Sequence, residues 1–259
     1  MTENAINMAK SITLAGETHP GYRRNKNEDC FVLFNPADAD VALAVAADGI
    51  GGHANGEVAS RICCCEMMKC ALQTPFELWD EAFLKKIIIS ANQTIFKHNL
   101  EKNAKSAMGC TVVAALFLHD EIKAANVGDS RFYVYSDKLE QISVDHKPDA
   151  RTWYLLTGEN VPPEKLSRII SRSVGTGHEV EPQFYTIPRR SGQKYLLCTD
   201  GLSESVSFAD MESLISSSAD ARDMCRKLMR KAILERAMDN VTVIAAAEKS
   251  MPECGRKDF

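Results

Sequence analysis

The chain has no apolar run long enough to cross a bilayer. Its longest, Val41–Ala47 and Thr111–Leu118, fall far short of the about 20 residues a membrane helix needs. The stretch Met1 to Ala15 carries Glu3 and has no apolar centre, so it does not read as a secretory signal. The expectation is a soluble, cytoplasmic protein. No CxxC pair occurs among the nine cysteines, which leaves a zinc site without support. Cys63, Cys64 and Cys65 are adjacent, and neighbours on a helix point apart, so the thiols read as reduced and mostly buried. No Lys/Arg-rich run relieves the net charge of -4, which argues against a nucleic-acid binder. Low-complexity linkers, repeats and charge blocks are also missing. One domain is expected over 1–259, with a core at about 11–248 and a short tail at 249–259.

What is present is a folded composition, 45% hydrophobic and 25% charged over 259 residues, enough to bury a sizeable core. Strands are expected at 11–16, 29–34 and 41–47, the last apolar throughout and so buried on both faces. A helix follows from Gly56 to about Gln73. The next is expected to start at Thr74-Pro75-Phe76-Glu77, with Thr as N-cap, Pro in the first turn and Glu at the capping-box position. Trp79, Phe83, Ile87, Ala91 and Ile95 fall on its apolar face. Past Gly109 the period becomes two, and 110–118, 121–127, 131–136 and 139–143 read as a meander. Residues 147–172 read as a helix–loop–helix excursion, 194–199 as a strand, 219–236 as an amphipathic helix and Val241–Ala247 as the last strand. Strands in two groups with helices between and after them indicate α+β with mainly antiparallel sheets.

The densest chemical signal is three aspartates, each closing a short apolar run and followed by a turn residue: Ala-Ala-Asp48-Gly49, Cys-Thr-Asp200-Gly201 and Met-Asp239-Asn240. Carboxylates at strand ends share the space outside the sheet edge, and three together need cations between them. An all-oxygen set suits Mg²⁺ or Mn²⁺. This reading points to a two-metal hydrolase. Gly49-x-Gly51-x-x-Ala54 also mimics a dinucleotide fingerprint. Asp48 would repel a pyrophosphate there, and a helix follows where a βαβ unit needs its second strand.

Several blocks occur in order: Gly21-x-x-Arg24-x-x-Asn27-Glu28-Asp29, Asp48-Gly49-Ile50-Gly51-Gly52-His53, Gly109-Cys110-Thr111, and Asn126-Val127-Gly128-Asp129-Ser130-Arg131. Asp145-His146-Lys147, Ser173-Val174-Gly175, Cys198-Thr199-Asp200-Gly201-Leu202 and Asp239-Asn240-Val241-Thr242 complete them. From Gly16 to Ala247 the chain resembles the metal-dependent serine/threonine protein phosphatases of the type 2C family, in their bacterial form. The resemblance implies a four-layer α-β-β-α sandwich, with two mainly antiparallel sheets flanked by helices. It implies two tightly bound Mn²⁺ or Mg²⁺ ions, bridged by Asp48, with the Gly49 carbonyl on one and Asp200 and Asp239 on the other. Glu28 would act through metal-bound water, Asp29 would support that shell, and Arg24 would hold the substrate phosphate. Asp129, with Asp200, would hold a third, weaker ion. Residues 147–172 would form a flap beside the site.

The implied activity is hydrolysis of phosphoserine and phosphothreonine on proteins by metal-activated water, opposed by a cognate Ser/Thr kinase, in a monomer. No cysteine sits in a Cys-x₅-Arg setting, so a cysteine phosphoenzyme has no candidate. Ile50 stands where some members carry a histidine proposed as general acid, and His53 follows three residues later. Two alternatives stay open: a catalytically inactive fold serving as a binding module, and a phosphatase dedicated to one regulatory phosphoprotein.

Overall fold

The computed structural model describes residues 12–36, 39–51, 55–102, 107–166 and 169–248. Eleven strands build two sheets. The five-stranded sheet has the order β1 (Ile12–His19), β11 (Val241–Glu248), β10 (Lys194–Cys198), β7 (Arg131–Tyr135), β8 (Leu139–Gln141). The six-stranded sheet runs β2 (Asp29–Phe34), β3 (Ala42–Ile50), β5 (Val112–Phe117), β6 (Glu121–Val127), β9 (Gln183–Pro188), with β4 (Gly109–Cys110) on the end of β3. Every pairing is antiparallel.

The apolar run of β3 shows why four layers form. Leu43, Val45 and Ala47 face helices α1 (Gly56–Gln73) and α2 (Glu81–Glu101), while Ala42, Ala44 and Ala46 face the other sheet. Strand β11 repeats the division. Val241, Val243 and Ala245 meet α7 (Ala221–Leu234), and Ile244 and Ala246 fill the space between sheets. A strand covered on both faces cannot alternate apolar and polar, as both sequences show. Helices α5 (Asp200–Ser205) and α6 (Phe208–Ser216) complete the outer layer with α7. The expected α+β sandwich is therefore observed. No helix among the described residues is long and apolar enough to cross a membrane.

Four local expectations need correction. The segment after Gly109 is not one meander: β5 and β6 pair in one sheet, β7 and β8 in the other, and the chain changes sheets at Gly128-Asp129-Ser130. Strand β9 was not expected. The second helix starts later, because Asp80 caps it by accepting from Phe83 N at 2.7 Å. Thr74-Pro75 instead leads into a single 3₁₀ turn, Phe76–Leu78. That turn lays Trp79 flat against Phe83, with ring centroids 5.4 Å apart. Finally, among the described residues only one of the two helices expected within 147–172 exceeds a single turn, α3 (Ala150–Thr157), closed by Gly158 at φ 73°; α4 (Pro163–Leu166) covers one. The tail at 249–259 lies outside the described residues.

Arg189 ties the far edge together. Its guanidinium, 3% exposed, donates to Asp40 at 3.0 Å, Glu248 at 2.5 Å and the Leu118 carbonyl at 2.6 Å. Removing it leaves two buried carboxylates without their cation. Arg189→Met is expected to cost about 3–5 kcal/mol, read as a lower urea midpoint at unchanged slope.

Candidate metal centre

Antiparallel pairing collects the acidic residues at one end of the sandwich. Asp29 opens β2 and stands opposite Asp48 in the β2–β3 register. Asp129 lies at the sheet change after β6, Asp200 two residues after β10, and Asp239 two residues before β11. Their strand settings differ from the expectation. Asp48 sits inside β3, because Gly49 and Ile50 go on to pair with Cys110 and Gly109. Asp200 is the first residue of α5, where a carboxylate meets the positive end of the helix. Asp239 precedes its strand rather than closing one.

The close approach of two backbones shapes the floor. A Cβ on Gly49 would lie 2.2 Å from the Gly56 carbonyl oxygen, and one on Gly56 would lie 2.6 Å from that of Gly49. Only glycine at both positions lets the end of β3 touch the start of α1. Gly49 N donates to the Glu28 carbonyl at 3.1 Å, and Ser60 Oγ donates to the same oxygen at 2.5 Å. Glu28 N donates to Asn240 Oδ1 at 2.8 Å, while Asn240 Nδ2 donates to the carbonyls of Pro20 and Lys26. Glu28 is thus held from both sheets. It lines a cavity of about 380 Å³ with Arg24, Asp48, Gly49, Ile50 and Asp239. No histidine lines that cavity among the described residues, and Ile50 does. His53 lies outside them.

Arg24 and Asp239, expected to hold phosphate and metal separately, meet each other: Arg24 Nη2 donates to Asp239 Oδ2 at 2.7 Å. The remaining guanidinium donors of Arg24 are left for a ligand. Asp129 Oδ2 accepts from Lys147 Nζ at 3.1 Å, a pairing not anticipated. A cation at Asp129 has to share that carboxylate with an ammonium. Arg131 makes a two-pronged pair with Asp145. His146 Nδ1 accepts from Gly128 N at 3.1 Å, which ties its ring to the turn at the sheet change.

Electrostatics provides the test for metal. Asp29 Oδ1, Asp129 Oδ1 and Asp200 Oδ1 are buried with no hydrogen-bond partner among the described residues. Orphaned anionic oxygens of this kind are costly unless a cation reaches them. Burial first, then neighbouring Asp129, pushes the Asp200 carboxyl up to about 7. Burial pushes Asp29 up to about 6 against the hydroxyls of Thr242 and Thr199, which donate to its Oδ2 at 2.7 and 2.8 Å. Asp48 is driven well above the carboxylate range by burial and then by Asp29, Asp200 and Asp239. Among the described residues no three such groups close into a ready cage. A small hard ion such as Mg²⁺ does not require one, because it keeps several waters and is bound through one or two carboxylates.

Sequence reasoning passed over Thr199 and Thr242 as partners of Asp29. Both lie inside quoted blocks, but nothing in their spacing to Asp29 marks the contact.

The chain matches the family Protein phosphatase 2C over residues 17–240. It is 30% identical over 249 residues to the serine/threonine phosphatase stp of Listeria innocua, covering 92% of this chain and 96% of that protein. The catalytic domain of the serine/threonine protein phosphatase PstP, solved in complex with two manganese ions, superposes with a TM-score of 0.77 at 30% identity, covering 92% of this chain and 99% of that one. Serine/threonine phosphatase Stp1 from Staphylococcus aureus gives a TM-score of 0.80 at 29% identity, covering 96% and 100%. The chain belongs to the protein phosphatase 2C family.

Proposed function

We propose that the protein hydrolyses phosphoserine and phosphothreonine in proteins at a binuclear Mn²⁺ or Mg²⁺ centre. The observation that carries this reading is the set of buried, partnerless carboxylate oxygens on Asp29, Asp129 and Asp200, grouped with Asp48 and Asp239, which line a cavity together with Arg24. Asp48, the Gly49 carbonyl, Asp200 and Asp239 would hold the two ions, and Asp129 a third and weaker one. The ions would supply an activated water and offset charge on the phosphoryl oxygens.

The chain's own groups do the rest. Arg24 offers a planar fork to the phosphate and fixes its orientation for in-line attack. Glu28, clamped through its backbone by Asn240, Ser60 and Gly49, directs water in the cavity. Asp29 keeps its Oδ2 on Thr199 and Thr242, while its buried Oδ1 has no hydrogen-bond partner among the described residues. Water attacks phosphorus as the P–O bond to the serine or threonine breaks, and the departing oxygen takes up a proton, leaving the free hydroxyl and inorganic phosphate. The whole chain acts as one phosphatase domain, a cytoplasmic monomer opposed by a Ser/Thr kinase, with segment 147–172 as its flap. Tyr154, Leu155 and Leu156 on α3 are exposed there and available to substrate.

Hydrolysis of a phosphothreonine peptide tests the proposal. Turnover is expected with Mn²⁺, none with EDTA, and a loss of about a hundredfold or more for Asp239→Asn. Turnover unchanged by EDTA would overturn the metal reading. A folded protein inactive in both Mn²⁺ and Mg²⁺ would indicate a binding module instead.

A further inference from the structure

A second cavity, of about 620 Å³, opens beside the first and shares Arg24 and Asp239 as its wall. Its other lining comes from Arg23, from Glu204 and Ser205 on α5, and from the turn Glu235–Met238 after α7. A phosphoryl group held by Arg24 therefore leaves the residues around it in a phosphopeptide next to this second space.

The turn has an unusual occupant. Arg236 has φ 56°, the only non-glycine residue with positive φ among those described. It closes α7 where Ala237 N donates to Ala232 O at 3.0 Å and Arg236 N to Ile233 O at 3.1 Å. Glycine is the usual residue at that left-handed position, and a side chain there is strained. The chain keeps a long cation in spite of the strain. The Arg236 guanidinium lies 5.5 Å over the ring of Tyr22, which is 61% exposed. This contact holds the charge extended over the cavity rim.

The lining carries three arginines and three carboxylates, and they differ in how they are paired. Glu235 is already paired with Lys231 at 2.8 Å, and Asp239 with Arg24. Neither Arg23 nor Arg236 takes part in an ion pair among the described residues. Glu204, on the α5 wall, is the one lining carboxylate left without an ion pair among them. The scaffold is also set in advance. Tyr22 N donates to Ala237 O at 2.7 Å, and a Cβ on Gly21, at φ 75°, would lie 2.0 Å from Asp239 O. The loop carrying Arg23 is thus pressed onto the turn carrying Arg236, so little ordering is required when a ligand arrives.

We infer that Arg236 and Arg23 form a subsite for a second anionic group on the substrate, a carboxylate or phosphate close in sequence to the phosphoresidue being hydrolysed. The inference rests on the phosphatase reading and makes Arg236 a specificity-determining residue. The preferred substrates are then phosphorylated segments with acidic or additional phosphorylated neighbours.

The test compares kcat/KM with Mn²⁺ on three phosphothreonine peptides: neutral flanks, glutamate flanks, and a second phosphothreonine nearby. The wild type is expected to favour the anionic peptides about three- to tenfold, with the preference shrinking as salt rises. In Arg236→Gly, which suits the left-handed backbone and keeps the turn, the ratio to the neutral peptide falls toward one. Arg236→Lys retains part of it. The second phosphate outdoing glutamate would assign the subsite to phosphate, and equal ratios to any anion. A wild type indifferent to flanking charge, or a preference intact in Arg236→Gly, would overturn the inference while leaving the phosphatase reading in place. No turnover of any peptide or of p-nitrophenyl phosphate would overturn both.

Discussion

Asp48→Asn is expected to lower kcat on a phosphothreonine peptide by about a thousandfold or more, and at the same time to stabilise the metal-free protein at neutral pH. The two effects have one cause. Asp48 lies in register with Asp29, and burial together with Asp29, Asp200 and Asp239 makes its charged form unfavourable. The isosteric amide removes one of the carboxylates that would hold metal and also one member of a repelling group. In EDTA at pH 7.5 the variant should melt several degrees above the wild type, since about 1 kcal/mol moves Tm by about 2–4 °C in a chain this large. In Mn²⁺ the order should reverse. A variant that loses activity and also melts lower in EDTA would mean that Asp48 serves the fold, and the site reading would fail. The pattern is that of a functional site maintained at the expense of stability.

The second large effect is a pH dependence that metal removes. In the metal-free fold Asp29 sits at about 6 and Asp200 at about 7, against an ordinary 3.8. The folded state therefore holds these protons at pH values where the unfolded chain has released them. Stability from this source is complete below pH 4 and is lost as pH rises through 6 and 7. The Asp29 shift alone corresponds to about 3 kcal/mol. Tm in EDTA should fall between pH 5 and pH 7.5. Mn²⁺ should raise Tm markedly at pH 7.5 and little at pH 5, where protons compete for the same oxygens. An EDTA profile flat across that window, or equal stabilisation by Mn²⁺ at both pH values, would contradict the account.

What could be read from the sequence was whatever is fixed locally. The unbroken apolar runs of β3 and β11 follow from burial on both faces, and the start of α1 follows from Gly56. The aspartates stood out because each interrupts a pattern. Sheet membership did not, since β6 and β7 have the same period and only a reversal at Gly128-Asp129-Ser130 sends them to different sheets. Strand β9 escaped notice as an edge strand paired only with β6, half-exposed and without clean alternation. At Thr74 the capping pattern was sound chemistry, but Asp80 and the stacking of Trp79 on Phe83 outweighed it. Thr199 and Thr242 reach Asp29 across 170 and 213 residues. No spacing rule covers such a contact.

The two sheets contribute equally to the acidic end. Asp29 and Asp48 come from the six-stranded sheet, while Asp200 and Asp239 flank neighbouring strands of the other. Ions held between them would act as rivets across the seam. Without them the halves are joined there mainly by the Arg24 loop, the Asn240 clamp and the threonine contacts to Asp29. Loading the centre would then extend the cooperative unit, set elsewhere by the apolar layer between the sheets, out to the acidic end, which would no longer open ahead of the rest.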